Sequence, residues 1–411
     1  MTDDKGHTVV PVKRWGHLGC LGLLGFTVTL DYSVARPPIE SLFLEHFGRD
    51  GLPWVWLAVA VGSFAVVAFY NRFVGTMPLL RLFSTCIAVS AASLVVLLWL
   101  NPYVPRAGAF VLYLWKDIYI VVLVELFWTY ANSVFALRTA RATYGMFLAV
   151  GTVGSFLGNA AAEQLSTTFG SQTAQWFILI PLFVAWAVIW IQRRWFGEGP
   201  AGESAITRAP WREGFLRVRQ SRFLPLLIAL IGVVQIAITL IDYQYQSFLH
   251  HKFPDLDQRT GVIARVYQAI DVGTLLLQLL SSSILRFAGV SLTLLLLPLV
   301  LLSTVSAAVV SPRFLATAIS KVASKAFDYS IFRAAKELLY IPLEHHEKTQ
   351  GKAIVDVMTY RVAKALASLL LLCALLFDWG YAVDALVFWA LIAWFYVTKR
   401  LLARYHGTLK V

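Results

Sequence analysis

The stretch that decides the fold runs from Phe223 to Ser247 and reads FLPLLIALIGVVQIAITLIDYQYQS. It contains one charged side chain, Asp242, and as a helix it is long enough to cross the roughly 30 Å hydrocarbon core of a bilayer. Similar apolar runs recur along the chain. Only helices satisfy all backbone hydrogen bonds within one such segment, and a membrane barrel would show short alternating strands. The sequence therefore predicts an all-α membrane protein.

The overall composition agrees with this class. Of the 411 residues, 58% are hydrophobic and 14% are charged, and the mean hydropathy is +0.69. Soluble domains are roughly half apolar and a quarter charged, so these values exclude a soluble globular enzyme. The chain carries 35 Lys and Arg against 23 Asp and Glu, a formal charge of +12. In a membrane protein this excess indicates basic cytoplasmic loops facing anionic lipid rather than nucleic acid.

We predict twelve transmembrane helices in two groups of six. The longest polar insertion is rich in Gly, Pro, Arg and Glu and follows the sixth apolar run. The predicted organisation is an N-terminal six-helix bundle over 1–192, a cytoplasmic linker over 193–222 and a C-terminal six-helix bundle over 223–411. The predicted spans are 17–36, 52–70, 81–100, 109–137, 144–168, 173–192, 223–247, 262–285, 289–310, 313–341, 353–377 and 379–403.

Loop charges predict the orientation of these spans. Placing the amino end in the cytoplasm also places the basic 193–222 linker there, together with most of the loop Arg and Lys residues, so both termini are predicted to be cytoplasmic. The first span lacks a small-residue cleavage site, and we expect a mature helix rather than a signal peptide. It is predicted to end at Arg36, directly before Pro37 and Pro38.

Small and aromatic residues indicate how the spans pack. Gly151, Gly154 and Gly158 form a stripe on one side of the fifth span, which predicts the close approach of a neighbouring helix. Trp54 and Trp56 lie near the start of the second span, where we interpret them as anchors in the headgroup region.

The sequence contains no metal or enzyme motif. Cys20, Cys86 and Cys373 lie far apart in apolar stretches, where we interpret them as small packing residues. The pair His345-His346 lies in a predicted loop and is interpreted as a solvated turn. There is no H-E-x-x-H, G-x-S-x-G or Walker loop. We therefore expect no metal, no cofactor and no enzymatic activity.

The tenth predicted span carries more charge than a lipid-facing helix tolerates, since each charge near the bilayer centre costs on the order of 3 kcal/mol or more. At about 100° per residue, one sector of roughly 80° contains four of the charged residues and the adjoining flank contains two. The sector contains Lys321, Lys325, Asp328 and Lys336, and the flank contains Arg333 and Glu337. A network of pairs one turn apart would satisfy part of this charge. Alternatively, the surplus of bases indicates an anionic ligand.

The eleventh predicted span adds further bases. Lys352, Asp356, Tyr360 and Lys364 follow one another at intervals of four residues, and Arg361 is offset to another side of the helix. Ammonium and guanidinium groups lining a cavity suit the recognition of phosphate or carboxylate. The tenth and eleventh spans together therefore predict an anion site.

Earlier spans contribute isolated charges. Asp31 and Arg36 lie on the first predicted span, and Lys116 and Asp117 lie near the outer end of the fourth. We interpret Lys116 and Asp117 as a pair that extends its charged ends towards the membrane surface.

With these residues identified, the chain resembles the nucleotide (ATP/ADP) translocase family. Residues 325–343, KAFDYSIFRAAKELLYIPL, resemble the family pattern K-x-x-x-Y-S-L-F-D-P-T-K-E-M-A-Y-I-P-L, and residues 351–357, GKAIVDV, resemble G-K-A-x-x-D-V. Asp242 followed by residues 247–254, SFLHHKFP, is similar to the family's acid and S-x-L-x-x-x-F-P. A weaker likeness, Y-x-x-x-R, covers residues 32–36.

The resemblance implies a major-facilitator-like fold with solute bound between two bundles and alternating access. It implies a secondary transporter of an anionic, phosphorylated solute, with ATP/ADP-type exchange as the leading expectation. The implied partners are the small anionic solute and the lipid bilayer, with no nucleic acid and no obligate protein partner. The expected substrate-binding residues are Arg36, Asp242, Lys321, Lys325, Arg333, Lys336, Glu337, Lys352, Asp356, Arg361 and Lys364.

Several positions depart from the family pattern. A Lys-Asp pair of the family is Ile39-Glu40 here, an acid on the fourth span is Tyr113, a Lys after Asp242 is Gln246, and Asp-Pro-Thr is replaced at 333–335 by Arg-Ala-Ala. These differences indicate a divergent bacterial relative, located in the inner membrane. They leave two alternatives: a membrane sensor or scaffold that does not transport, and a proton-coupled transporter of another organic anion.

Overall fold

The computed structural model describes residues 11–70, 76–135, 137–197, 218–219, 221, 223–340, 358–377 and 382–408. Helices occupy nearly all of these residues, which confirms the all-α class. The elements are α1 (Pro11–Phe47), α2 (Leu52–Tyr70), α3 (Leu79–Leu100), α4 (Pro105–Val134), α5 (Leu137–Phe169), α6 (Ser171–Ala174), a 3₁₀ turn (Gln175–Ile178), α7 (Leu179–Phe196), α8 (Leu224–Lys252), α9 (Leu256–Val310), α10 (Phe314–Phe327), a π turn (Asp328–Phe332), α11 (Arg333–Leu339), α12 (Thr359–Leu376) and α13 (Ala382–Thr408).

Within the described residues, each of the twelve predicted spans coincides with helix, but nine of the helices described there are long and apolar enough to cross a membrane. The difference has three sources. The long helix α9 covers two predicted spans, and Gly289 divides them with a backbone φ of +67°. Helix α2 has a short described apolar segment, Leu52–Val66, and the segment α10 to α11 is too charged to qualify on hydropathy. The number of membrane crossings therefore stays a prediction.

Helix α1 corrects the predicted end of the first span. It continues through Pro37 and Pro38 and ends at Phe47 rather than at Arg36. Prolines are tolerated in membrane helices because neighbouring groups satisfy the backbone groups they release, and the helix after them is deeply buried, with Phe43 at 0% exposure. As a result, Arg36 and Glu40 lie one helical turn apart on the same helix.

The chain forms two compact units. Unit 1 contains residues 1–46, 61–205 and 255–268, and unit 2 contains residues 47–60, 206–254 and 269–411. The start of α2 thus groups with the second half of the chain, and the start of α9 groups with the first half. Because most of the predicted linker lies outside the described residues, the predicted domain boundary at 193–222 is still a prediction.

In unit 1, helices α1 and α5 approach closely along the predicted glycine stripe. The Thr29 hydroxyl donates to the carbonyl of Gly151 at 2.8 Å, and Gly154 and Gly158 lie directly against backbone carbonyls of α1. A side chain at either glycine would separate the helices. The prediction of a close approach at this stripe is therefore confirmed.

We expect Gly154→Ala to destabilise unit 1 by about 1–3 kcal/mol, because an added methyl group would overlap the carbonyl of Phe26. The matched control is Gly145→Ala on the same helix, where no atom lies within 4 Å of the added carbon. That control should be neutral or stabilising by up to about 1 kcal/mol, since Ala favours helix. Thermal unfolding in detergent measures both variants, and equal shifts would contradict the packing described for α1 and α5.

In unit 2, helix α8 lies at the centre and packs against α10, α12 and α13. Its apolar residues Leu227, Ile231 and Val234 are fully buried. Three helices thus cover α8, and its Asp242 side chain, which is 21% exposed, forms an ion pair with Lys321 of α10.

Candidate functional site

Two carboxylates and four lysines form a polar cluster in unit 2. We call it the lysine cluster, and it consists of Asp242, Lys321, Lys325, Asp328, Lys336 and Lys364. Its centre is an ion pair between Asp242 of α8 and Lys321 of α10. The Lys321 side chain is 0% exposed and the Asp242 side chain is 21% exposed, so the base of the pair is buried while its carboxylate is partly accessible.

The other lysines surround the two carboxylates. The charges of Lys325 and Lys364 also act on Asp242, and those of Lys325 and Lys336 act on Asp328. Lys325 therefore links the two acids electrostatically. Asp328 is 9% exposed.

An amide on the central helix holds Asp328 in place. Gln235 of α8 donates to the Asp328 carboxylate at 3.3 Å. The two acids of the cluster are thus both positioned by α8, one as its own residue and one through a hydrogen bond from it.

Aromatic rings flank three of the lysines. The Lys325 amine lies 5.6 Å from the centre of the Tyr329 ring, and the Lys336 amine lies 5.4 Å from that of Tyr360. The Lys364 amine lies 5.9 Å from the ring of Trp56. These distances allow favourable cation–π contacts.

Trp56 is 2% exposed, so its predicted role as an anchor in the headgroup region is wrong. Trp54, by contrast, is 58% exposed.

A π turn interrupts the charged helix within the cluster. It spans Asp328–Phe332, between α10 and α11. Such turns are frequent at functional sites. Here the turn leaves Tyr329 43% exposed while Asp328 and Ser330 are buried. The sequence did not predict this turn, because placing residues at a constant spacing of about 100° per residue assumes a regular α-helix.

Burial divides the charged residues of α10 and α11 as the projection predicted. Lys321, Asp328 and Lys336 are buried, and Arg333 and Glu337 are exposed. The partner of Lys321 nevertheless lies on α8, so pairing along a single helix does not account for the cluster. Four lysines stand against two carboxylates in it, which gives the cluster a formal surplus of positive charge.

The remaining predicted site residues lie elsewhere. Lys352 and Asp356 are outside the described residues, and Arg361 is half-buried on α12. Arg36 belongs to unit 1. The structure therefore brings together the core of the predicted set but not all of it.

Unit 1 contains a second buried network, which the sequence interpretation missed. The Lys116 amine lies 2.7 Å from Asp117 and 3.5 Å from Glu40, and the Lys116 side chain is 1% exposed. The interpretation of Lys116 and Asp117 as a pair extending to the membrane surface is thus wrong, because α1 continues past Pro38 and brings Glu40 beside α4. Lys116 of α4 therefore lies beside Glu40, which directly follows Ile39, the position at which the family pattern has a lysine.

Arg36 lies in the same network. Its guanidinium stacks 3.3 Å from the centre of the Tyr267 ring and lies 5.1 Å from that of Tyr32. The Tyr267 hydroxyl donates to Glu40 at 3.3 Å, and the Tyr32 hydroxyl donates to Asp117 at 3.3 Å. Aromatic rings and carboxylates therefore surround both cations of this network.

Comparison with known proteins assigns the chain to a family. A family model described as the TLC ATP/ADP transporter matches residues 59–405. The chain belongs to this family. Relatives include ADP,ATP carrier protein 5 of Rickettsia conorii, 23% identical over 300 residues, which are 62% of this chain and 59% of that protein. ADP,ATP carrier protein 1 of Chlamydia trachomatis is 24% identical over 291 residues, 61% of this chain and 55% of that protein. The aligned part of the chain thus spans less than two thirds of these TLC relatives.

Solved structures support the fold of this TLC family member. The nucleoside transporter NupG superposes with a TM-score of 0.71 at 10% identity, covering 94% of this chain and 99% of NupG. A bacterial homologue of the iron transporter ferroportin superposes with a TM-score of 0.69 at 12% identity, covering 95% of this chain and 100% of that chain. At such identities the likeness concerns the fold alone, and it confirms a multi-pass membrane protein of the major-facilitator-like class.

Proposed function

We propose that this TLC family member is a secondary transporter of an anionic, phosphorylated solute, with ATP/ADP-type nucleotides as the leading candidates. Carrier proteins among its relatives support transport rather than enzymatic catalysis. The proposed location is a bacterial inner membrane with both termini in the cytoplasm, as the loop charges favour.

The observation that carries the proposal is the composition of the lysine cluster. Bases in the interior of a membrane protein are costly, and here the charges of four lysines from three elements converge on two carboxylates, which is an environment that attracts a multiply charged anion. Phosphate oxygens accept charge-assisted hydrogen bonds from ammonium groups, and these bonds are stronger than those between neutral groups. A di- or triphosphate supplies several such oxygens on one molecule.

Each part of the cluster has a proposed role. Lys325, Lys336 and Lys364 engage the anionic groups of the solute, and their aromatic neighbours hold the lysine stems. Asp242 keeps Lys321 in place, and Asp328 restrains Lys325 and Lys336 until the solute arrives. Lys352, Asp356, Arg333, Glu337 and Arg361 remain proposed contributors from the family resemblance.

Counter-exchange in proteoliposomes tests the proposal. The purified protein is reconstituted in liposomes that contain one unlabelled solute, and the uptake of the labelled solute is followed. The panel contains nucleoside triphosphates and diphosphates, the uncharged nucleoside, other organic phosphates and carboxylates. We expect saturable exchange of nucleotides and none of the nucleoside. Exchange of carboxylates alone would point to another organic anion, and no exchange by a folded protein would favour the sensor or scaffold.

We expect Lys325→Gln and Lys336→Gln each to lower nucleotide exchange by at least about tenfold, because each removes a charge-assisted hydrogen bond worth roughly 1.5–3 kcal/mol. Gln keeps a polar side chain of similar length, so insertion and folding should persist. The matched control is Lys399→Gln, an exposed lysine on α13, which should exchange like the wild type. Unimpaired exchange by both cluster variants would contradict this site.

A further inference from the structure

Asp31 is a buried acid that the lysine cluster does not use. It lies on α1 in unit 1 and is 1% exposed. The Tyr119 hydroxyl of α4 donates to its Oδ2 at 2.8 Å. Its Oδ1 is buried without a hydrogen-bond partner among the described residues. Asp31 also forms no ion pair within the part of the chain that the structure describes.

The charged groups around Asp31 are engaged with other residues. On α4, the Lys116 amine pairs with Asp117 and Glu40, and the charge of Asp117 acts on Tyr119. On α1 itself, the Tyr32 hydroxyl donates to Asp117, and Arg36 stacks on a ring. Lys116 therefore serves other carboxylates, and Arg36 is engaged by an aromatic ring.

The α5 residues that are described in contact with this part of α1 are small and uncharged. Helix α5 packs against this part of α1 with Gly154, Ser155 and Gly158. Its nearest described acid along the sequence, Glu163, pairs with Arg265. The described neighbours of Asp31 are thus the Tyr119 phenol on α4 and a part of α1 that packs against small residues of α5.

Charge on this carboxyl has a physical cost. A buried carboxylate is stable when it is paired or receives several hydrogen bonds, and Asp31 receives one. A proton arriving from water removes the charge and gives a neutral carboxylic acid, with no other bond made or broken. The charge of Asp117, whose side chain is 12% exposed, acts on the Tyr119 hydroxyl that donates to Asp31. That arrangement gives a proton a polar route.

We propose that Asp31 is a proton-binding site through which uptake of the anionic solute is coupled to proton movement. The proposal rests on the proposed function and adds its coupling ion. A proton that enters with the solute offsets one negative charge of that solute, and Asp31 then releases it on the other side. Asp31 belongs to unit 1, whereas the lysine cluster that is proposed to contact the solute belongs to unit 2.

The test uses reconstituted wild-type protein, Asp31→Asn and the matched control Asp384→Asn. Asn copies the shape of a protonated Asp without its titration, and Asp384 of α13 is an acid that accepts a hydrogen bond from the Gln244 amide. A gradient of one pH unit, alkaline inside, should drive wild-type accumulation of up to about tenfold. Asp31→Asn should lose this accumulation and keep counter-exchange within about threefold, whereas Asp384→Asn should keep both.

Each outcome has a separate meaning. Absent counter-exchange in the wild type would overturn the proposed function. Counter-exchange without any response to the pH gradient, or a full response in Asp31→Asn, would overturn the coupling role alone.

Infrared difference spectra at neutral pH test whether Asp31 carries a proton, and they need no transport assay. A carboxylic acid C=O band should be present in the wild type and in Asp384→Asn, and it should be lost in Asp31→Asn. Its presence in all three proteins would contradict a proton on Asp31.

Discussion

Lys321→Met is expected to abolish solute exchange and to destabilise unit 2 by about 3 kcal/mol, the lower end of the range for breaking a buried ion pair. Lys321 is 0% exposed and pairs with Asp242, whose side chain is 21% exposed, so its removal leaves a largely enclosed carboxylate without its direct partner. The effect is at the lower end because the charges of Lys325 and Lys364 still act on Asp242. Thermal unfolding in detergent and counter-exchange in liposomes measure the two effects.

A double variant separates folding from function. Lys321→Met combined with Asp242→Asn removes both charges, and replacing a buried pair by neutral groups is often close to neutral for stability. We expect the double variant to regain most of the lost stability while exchange stays absent. A single Lys321→Met variant with wild-type stability would show that the ion pair is not buried as described.

Lys116→Met is expected to have a comparable effect in unit 1, about 3–5 kcal/mol of lost stability. The Lys116 amine is shared by the buried Glu40 and the partly exposed Asp117, and its loss leaves both carboxylates without their common base. Like charges in low dielectric repel strongly. Circular dichroism during thermal unfolding measures the loss, and Lys399→Met provides a control at an exposed position.

Lys116→Arg and a compensating variant define the role of this charge. Lys116→Arg keeps the charge but changes the packing, so it should recover part of the stability. Lys116→Met combined with Glu40→Gln should recover more than Lys116→Met alone, since one of the two repelling carboxylates is gone. Equal stability of Lys116→Met and the Lys399→Met control would refute the buried network.

The membrane class and the charged face of α10 were predictable because both are local properties of the sequence. Apolar runs of sufficient length determine helices in lipid, and residues at helical spacing share a face. The glycine stripe was predictable for the same reason. The break between two predicted spans at Gly289 followed from their lengths.

The ion-pair partners were not predictable, because they depend on which helices pack together. Lys321 pairs with Asp242, 79 positions away along the chain, and no spacing rule connects them. Glu40 reached Lys116 only because α1 continues through Pro37 and Pro38, whereas proline usually ends a helix in water. Trp56 was misinterpreted because its sequence position resembles that of Trp54, and burial alone distinguishes them.

The most direct test of the central claim is the affinity of the purified protein for a series of ligands that differ only in phosphate number. If the lysine cluster binds the anionic groups, two charge-assisted hydrogen bonds of roughly 1.5 kcal/mol each should make a nucleoside triphosphate bind at least about a hundredfold tighter than its nucleoside. The same ratio should fall by at least about tenfold in Lys325→Gln. Equal affinities for nucleoside and triphosphate in the wild type, or an unchanged ratio in Lys325→Gln, would contradict the claim.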